Sequence, residues 1–440
     1  MMHPTRLVPL AFLIAIAIGT LVLMLPVSRA GDGFSPFLTA LFTATSAVCV
    51  TGLAVVDTST YWSPFGQAVI LALFQIGGFG IMAAATLLGL LVGRGIRLKD
   101  RLRTQVERGA IDMSNARDVL WLIVLVTVVA EVTLSVALTV RLHFAYGYDW
   151  PEAAWHGVFH AVSAFNNAGF STYSDSLMGF ARDWLILLPI GLAIIISSLG
   201  FPVLHELRNH LRSGRQPWTL HTKITLGGTV ILLVVGCGTI LYVEWHNPAT
   251  LGAMDLGDKL LNGAFQSITT RTAGFNALDT GALKDESLAI TYLLMFIGGG
   301  SAGTAGGIKI TTFFLLAIVV WSEVRGEKEA AVFGRRISSG TERQALTVVM
   351  LSLAAVSTGT MIILSVTELP LTAVLFETIS AFATVGLSTG ITGQLPPTGE
   401  LVLIVLMVIG RVGTITIATA LALGSGRSEL HYPEERPIIG

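Results

Sequence analysis

Long apolar runs alternate with short polar ones along the chain, and the runs recur in a fixed order. Residues 7–26, 119–140, 224–243 and 345–366 are apolar almost throughout. Each is long enough to cross a hydrocarbon core of about 30 Å as a helix. Each is followed by an apolar stretch too short to span. The first two lie at residues 37–48 and 151–165; the third opens at Asp255 or Asp258 and runs to about Thr269; the fourth runs from Pro370 to Ala383. Ser35 with Pro36, and Asp149 with Pro151, supply helix-start chemistry. Returning apolar runs come next, at 64–92, 184–204, 288–321 (with a break) and 401–423. The order predicts an all-α integral membrane protein of eight full crossings and four re-entrant half-helices. Arg6 before it and residues 28–30 after it also suit a signal peptide around 7–26, but the order of the other repeats makes this run a first crossing.

Each short stretch ends in a related motif: TSAVCVTGL (residues 45–53), SAFNNAGFS (163–171), SITTRTAGFN (267–276) and SAFATVGLS (380–388). Their glycines, Gly52, Gly169, Gly274 and Gly386, are 117, 105 and 112 residues apart. That period is too long for a solenoid unit and suits two crossings with a loop between them. The expected repeats are 1–93, 94–213, 214–325 and 326–424, followed by a polar tail at 425–440. Non-helical backbone at membrane depth is tolerated only where it lines a cavity or is buried in protein. Four such loops predict helix–pore loop–helix repeats around a central pore.

Composition agrees with a lipid environment. The 440 residues are 52% hydrophobic and 12% charged, about half the charge of a soluble domain. The formal net charge of −1 provides no bulk basic surface for nucleic acid. Cys49 and Cys237 both fall in apolar runs and predict neither a disulfide nor a zinc site. The basic residues are sharply sorted. Nineteen of the 27, including Arg94, Arg97, Arg208, Lys223, Arg325, Arg335 and Arg336, fall at the repeats' ends. Five fall on the loop side: Arg29, Arg141, Arg182, Lys259 and Lys284. The positive-inside rule then puts both termini in the cytoplasm and opens the four loops outward.

The loop chemistry suits a cation. Glycine opens backbone angles closed to other residues, so successive carbonyls can face one path and replace an ion's hydration shell. Half-helices aimed at that path present their negative C-terminal ends. Asp57, Asp175 and Asp279, five or six residues past three of the glycines, either raise the cation concentration at the mouth or cap loops. A second constellation, IGGGSAGTAGGIKITT at 297–312, carries six glycines. Gly298, Gly300 and Gly303 match G-x-G-x-x-G, but no strand–helix unit surrounds them, so a dinucleotide site is a poor reading. The stretch reads either as a packing kink or as a flexible loop below the filter. Lys309 beside it should face water or a partner, and Arg411, inside the last apolar run, should meet carbonyls or an acid. Arg271 is expected behind its loop, facing Glu377, and Glu131 in a helix–helix hydrogen bond. His156 and His160, one turn apart, are read as packing residues, and the recurrent Phe42, Phe159, Phe265 and Phe376 as core.

TVGLS at 384–388 looks like a potassium-channel selectivity filter. The four-fold helix–pore loop–helix array resembles the Trk/Ktr/HKT superfamily of potassium transporters across essentially the whole chain. With no extra helix pair ahead of the first repeat, it is most like the membrane subunits of bacterial Ktr systems. The resemblance implies a filter lined by carbonyls of Val50, Thr51, Asn167, Ala168, Thr272, Ala273, Thr384 and Val385, with potassium held at Gly52, Gly169, Gly274 and Gly386. In plant members of that superfamily a serine at the first glycine goes with sodium selectivity, so the resemblance, with glycine at all four positions, implies potassium. The first three loops depart from TVG, so the pore is not four-fold symmetric. An intramembrane gate is implied at Gly298, Gly299, Gly300, Ser301, Ala302, Gly303, Thr304, Ala305, Gly306 and Gly307, with Lys309 adjoining and Arg411 in contact. Further implications are potassium uptake across a bacterial inner membrane, a homodimer among membrane lipids, and a KtrA-like cytosolic ring of nucleotide-binding regulatory subunits. No cofactor is expected in the chain itself; potassium is the substrate and sodium a candidate activator. An obligate cation symporter with a midplane site is the rival, disfavoured because the repeats are parallel. No cluster of acids, His or Cys suggests an enzyme.

Overall fold

The computed structural model describes residues 4–100, 116–213, 217–327 and 329–413. The expected tail at 425–440, the end of the expected fourth return at 414–423, and Arg101, Arg103, Arg108, Arg215, Lys328, Arg427 and Arg436 lie outside these residues.

The chain runs through α1 (Pro4–Met24), the half-helix α2 (Phe37–Val48), the single turn α3 (Thr58–Tyr61) and the long α4 (Pro64–Asp100). Next come α5 (Ala116–Tyr146), half-helix α6 (Trp150–Asn166), α7 (Trp184–Leu199) and α8 (Phe201–Ser213). The third group is α9 (Leu220–Glu244), half-helix α10 (Leu256–Thr269), α11 (Asp285–Phe296) and α12 (Ile310–Val324). A small hairpin, β1 (Ala331–Val332) paired with β2 (Arg335–Arg336), leads to α13 (Ser339–Val366), half-helix α14 (Leu371–Ala383) and α15 (Pro397–Val408), which runs into a π-turn at Ile409–Gly413. Start signals act much as expected. Asp149 precedes α6, with Pro151 in its first turn, and Asp255 precedes α10. At α2 the cap position belongs to Pro36; Ser35 turns away, its hydroxyl 3.0 Å from the Tyr61 hydroxyl.

Among the described residues, Pro64–Thr86, Leu120–Tyr146, Leu220–Glu244 and Ser339–Val366 are each long and apolar enough to cross a membrane unbroken. The returns in the second and third groups are interrupted. The second was expected to be continuous over 184–204. Instead α7 stops at Gly200 and α8 leaves at 99°. Gly200 holds φ 88° and ψ 148°, a region essentially closed to side-chain-bearing residues, and Pro202 then sits in the first turn of the new helix, where its missing N–H costs nothing. The third return breaks between α11 and α12.

Packing closes the four groups into a ring. α4 leans on α6, α7 on α10, α11 on α14, and α15 on α2. Each return helix thus supports the next group's half-helix, and the last supports the first. Phe42, Phe159, Phe265 and Phe376 are buried in these seams. The Phe74 ring meets Phe159 edge-on at 5.6 Å, bridging the first two groups. Val128, Val129, Val132 and Val136 on α5, with Val230, Ile231, Val234 and Val235 on α9, are exposed. Such apolar outer faces suit lipid.

Candidate functional site: a ring of four loops

All four half-helices end at one place. Gly52, Gly169, Gly274 and Gly386 have φ between 69° and 95°. A Cβ built on Gly52 would fall 2.4 Å from the Ala168 carbonyl oxygen and 3.1 Å from Gly169 Cα. From Gly169 the neighbours are the Ala273 oxygen at 2.8 Å and Gly274 Cα at 3.1 Å; from Gly274, the Val385 oxygen at 2.2 Å and Gly386 Cα at 3.1 Å. Gly386 returns to the Thr51 oxygen at 2.1 Å and Gly52 Cα at 3.1 Å. The series is a closed cycle, so the carbonyls of Thr51, Ala168, Ala273 and Val385 gather around one axis. Side chains are doubly excluded there, by the positive φ and by the next loop's backbone.

Two residues ahead of each glycine, Val50, Asn167, Thr272 and Thr384 also have positive φ, from 49° to 84°. Left-handed backbone costs a non-glycine residue about 1–2 kcal/mol. Four parallel instances are the turn that swings each chain out of its half-helix toward the axis. Hydroxyls not among the expected site residues hold this turn. Ser46 Oγ accepts from Gly52 N at 3.1 Å and donates to the Leu53 carbonyl at 2.7 Å. Ser163 Oγ donates to Phe170 O at 2.8 Å, Thr269 Oγ1 to Phe275 O at 2.9 Å, and Ser380 Oγ accepts from Gly386 N at 3.1 Å. The signal was present: in three motifs a serine lies six residues before the glycine, and only the third shifts to a threonine at five.

The Gly-rich stretch forms a closed loop tied at its neck. Gly298 N donates to the Ile308 carbonyl at 2.9 Å, and Ile308 N to Phe296 O at 3.1 Å. The loop lies against the half-helix ends. A Cβ on Gly306 would sit 2.4 Å from Ala383 O and 2.0 Å from Thr384 Oγ1, and one on Gly298 would sit 3.4 Å from Thr272 Cγ2. Its other side meets the end of α7, where Gly300 N donates to Ser198 O at 2.7 Å. Lys309 Nζ donates to the Ala305 carbonyl at 2.6 Å inside the loop. Arg411 is buried, and its Nη1 donates to Thr384 Oγ1 at 3.4 Å. Arg411 thus reaches Thr384, the side chain that Gly306 packs against, rather than the carbonyls or acid expected of it, and its Nε and Nη2 have no hydrogen-bond partner among the described residues.

The expected pairing of Arg271 with Glu377 is absent. Ion pairs among the described residues include Arg141–Asp183, Arg182–Asp258 and Arg336–Glu329, and neither Arg271 nor Glu377 takes part in one. Glu377 is occupied by the hydroxyls of Ser388 and Thr392. Arg271 is buried, and its Nε has no hydrogen-bond partner. Glu131 accepts from Gln75 Nε2 at 3.2 Å and Asn166 Nδ2 at 3.1 Å, joining α5 to α4 and the end of α6. His160 Nδ1 donates to the His156 carbonyl at 2.7 Å, and its Nε2 lies 2.9 Å from Ser171 Oγ. At the mouth, Asp57 Oδ1 accepts from Ser59 N at 2.8 Å and Asp279 Oδ1 from Gly281 N at 2.9 Å, so both cap turns. Asp57 remains exposed. Burial pushes its carboxyl up, but hydrogen bonds from Ser174 and Ser59 outweigh that and hold it below the ordinary value.

A helical membrane body with four half-helices converging on a carbonyl ring is the form of a cation-conducting protein. The chain matches the family described as TrkH, cation transport protein, over residues 1–430, and it belongs to that family. It is 39% identical to the Ktr system potassium uptake protein B of Bacillus subtilis over 437 residues, covering 99% of this chain and 97% of that one. It is 37% identical to the protein of the same name from Vibrio alginolyticus, covering 99% and 94%. It is also 37% identical to the potassium/sodium uptake protein NtpJ of Enterococcus hirae, covering 100% and 98%. The crystal structure of the potassium transporter TrkH from Vibrio parahaemolyticus has the same fold, with a TM-score of 0.71 at 18% identity over 96% of this chain and 84% of that one.

Proposed function

We propose that this protein carries potassium into a bacterial cell, with the four-loop carbonyl ring as its selectivity filter. The observation that carries the reading is the closed glycine cycle, which leaves main-chain oxygens as the ring's lining. Each half-helix points its negative end at the ring, which favours a cation without a fixed carboxylate. The names of the similar proteins from Bacillus, Vibrio and Enterococcus supply the ion; the Enterococcus name also makes sodium a candidate co-ion or activator. Residues 298–307, with Lys309 and Arg411, serve as the gate below the filter. The basic residues at the repeats' ends support a cytoplasmic location for those ends and both termini, with the filter mouth outside. A homodimer and a cytosolic nucleotide-binding regulatory subunit complete the system, with exposed Arg335 and Arg336 on the face available to the latter.

The test is rubidium and potassium uptake, with sodium as competitor, in a transport-deficient strain. Gly386→Ser and Gly52→Ser each force a side chain into the next loop's backbone. Discrimination against sodium should fall about tenfold or more, the consequence of disturbing coordination by roughly 1.4 kcal/mol, while the protein still inserts. Unchanged discrimination in both variants would remove the filter assignment.

A further inference from the structure

Asn167 occupies two places at once. Its backbone is the left-handed turn of the second filter loop, with φ 58°. Its side chain leaves the filter and is 1% exposed. Asn167 Nδ2 donates to Ser198 Oγ at 2.8 Å and to Thr304 Oγ1 at 3.1 Å. Its Oδ1 accepts from Ser197 Oγ at 3.4 Å. Thr304 is fully buried in the Gly-rich loop, and its hydroxyl donates to the Phe165 carbonyl near the end of α6 at 3.4 Å. Thr304 N in turn lies 3.3 Å from Ser197 O. One carboxamide therefore ties a filter loop, the end of α7 and the Gly-rich loop together, and both its amide hydrogens and its oxygen are used.

The other three equivalent positions lack this link. The Val50 side chain has no polar atom, Thr272 Oγ1 is buried without a partner, and Thr384 Oγ1 accepts from Arg411. We infer that Asn167 is a positioning residue that couples the second filter loop to residues 298–307, so that movement of the loop and the shape of the filter change together. The inference rests on the gate reading above. Withdrawing the loop would strip Asn167 Nδ2 of Thr304 and leave a buried N–H unpaired, which is expensive. The filter turn must then readjust. By reciprocity, whatever ion occupancy favours the present turn also favours the present loop position.

The test uses the full-length protein in liposomes, with rubidium influx, sodium competition and thermal stability as readouts. Thr304→Val keeps the volume and removes the hydroxyl; Thr304→Ser keeps the hydroxyl. Thr304→Val should raise basal influx about tenfold, the scale of one lost buried hydrogen bond, and also weaken discrimination against sodium, although Thr304 is outside the filter. Thr304→Ser should restore both. Asn167→Ala combined with Thr304→Val should raise influx no further than the larger single effect. Ser198→Ala, which removes a different partner of Asn167, should act in the same direction and serves if Thr304→Val does not fold. Deletion of 298–307 reports on the gate separately. If deletion raises influx but the Thr304 and Ser198 variants leave sodium discrimination untouched, or the double variant is additive, the coupling is wrong and the gate stands. If deletion leaves influx unchanged, the gate reading itself falls.

Discussion

A serine hydroxyl in the last turns of a half-helix can hold the filter turn only if it lies at the right distance from the glycine. Ser380 meets the condition, accepting from Gly386 N at 3.1 Å. Ser380→Ala leaves that partly buried N–H without its partner, at a cost of about 1 kcal/mol. We expect the thermal midpoint to fall by a few degrees and sodium to compete more strongly with rubidium, with membrane insertion intact. An unchanged competition curve would mean that the hydroxyl serves the fold alone. Residues of this kind were half legible. The alignment of the motifs TSAVCVTGL, SAFNNAGFS and SAFATVGLS already displays the serine register. What Asn167 touches was not, because Thr304 lies 137 residues away and no local spacing reports such a contact. The mistaken pairing of Arg271 with Glu377 has the same root: both belong near the loops, but only the three-dimensional register shows Glu377 already satisfied by Ser388 and Thr392.

Short apolar stretches with Asp or Pro at their starts and glycine past their ends were enough to place α2, α6, α10 and α14, because length, capping and termination all agree. The break after α7 escaped because residues 184–204 stay apolar through it; only the Gly200–Phe201–Pro202 sequence betrays it. That break has a consequence of its own. A Cβ on Gly200 would lie 2.2 Å from the Ser301 carbonyl oxygen, so the helix end and the Gly-rich loop share a contact with no room for a methyl group. Gly200→Ala must both abandon φ 88° and push the loop away. Strain of this kind costs about 1–3 kcal/mol. Basal rubidium influx should rise several-fold, and the thermal midpoint should drop. A variant with wild-type influx and midpoint would show that α7 and the loop are not mechanically joined.

Across the whole molecule, the four groups lock in a cycle in which α15 closes on α2, so loops far apart in sequence share one mouth. Ser59 Oγ lies 2.7 Å from Ser174 Oγ, and Leu177 N donates to Asn276 O at 2.8 Å, stitching neighbouring loops together there. Asp57 belongs to this rim. A carboxyl held below its unfolded value of about 3.9 adds stability above that value and loses it only as pH falls through the still lower folded value. Asp57 is therefore charged throughout pH 5–8, and changes of uptake in that window do not originate from it. Its charge should still draw cations to the mouth over roughly a Debye length, about 8 Å at physiological salt. Asp57→Asn retains a capping oxygen and removes the charge. In intact cells we expect potassium uptake at low external ionic strength to fall roughly two- to threefold, since a single charge supplies only a small part of the steering that clustered charge can give. Wild type and variant should converge as external salt rises. This outcome also depends on the proposed outward orientation of the loops, which rests on the sorting of arginine and lysine. If external salt leaves the ratio of the two rates unchanged, either the rim charge is idle or the loops face the cytoplasm, and raising salt inside inverted vesicles distinguishes the two.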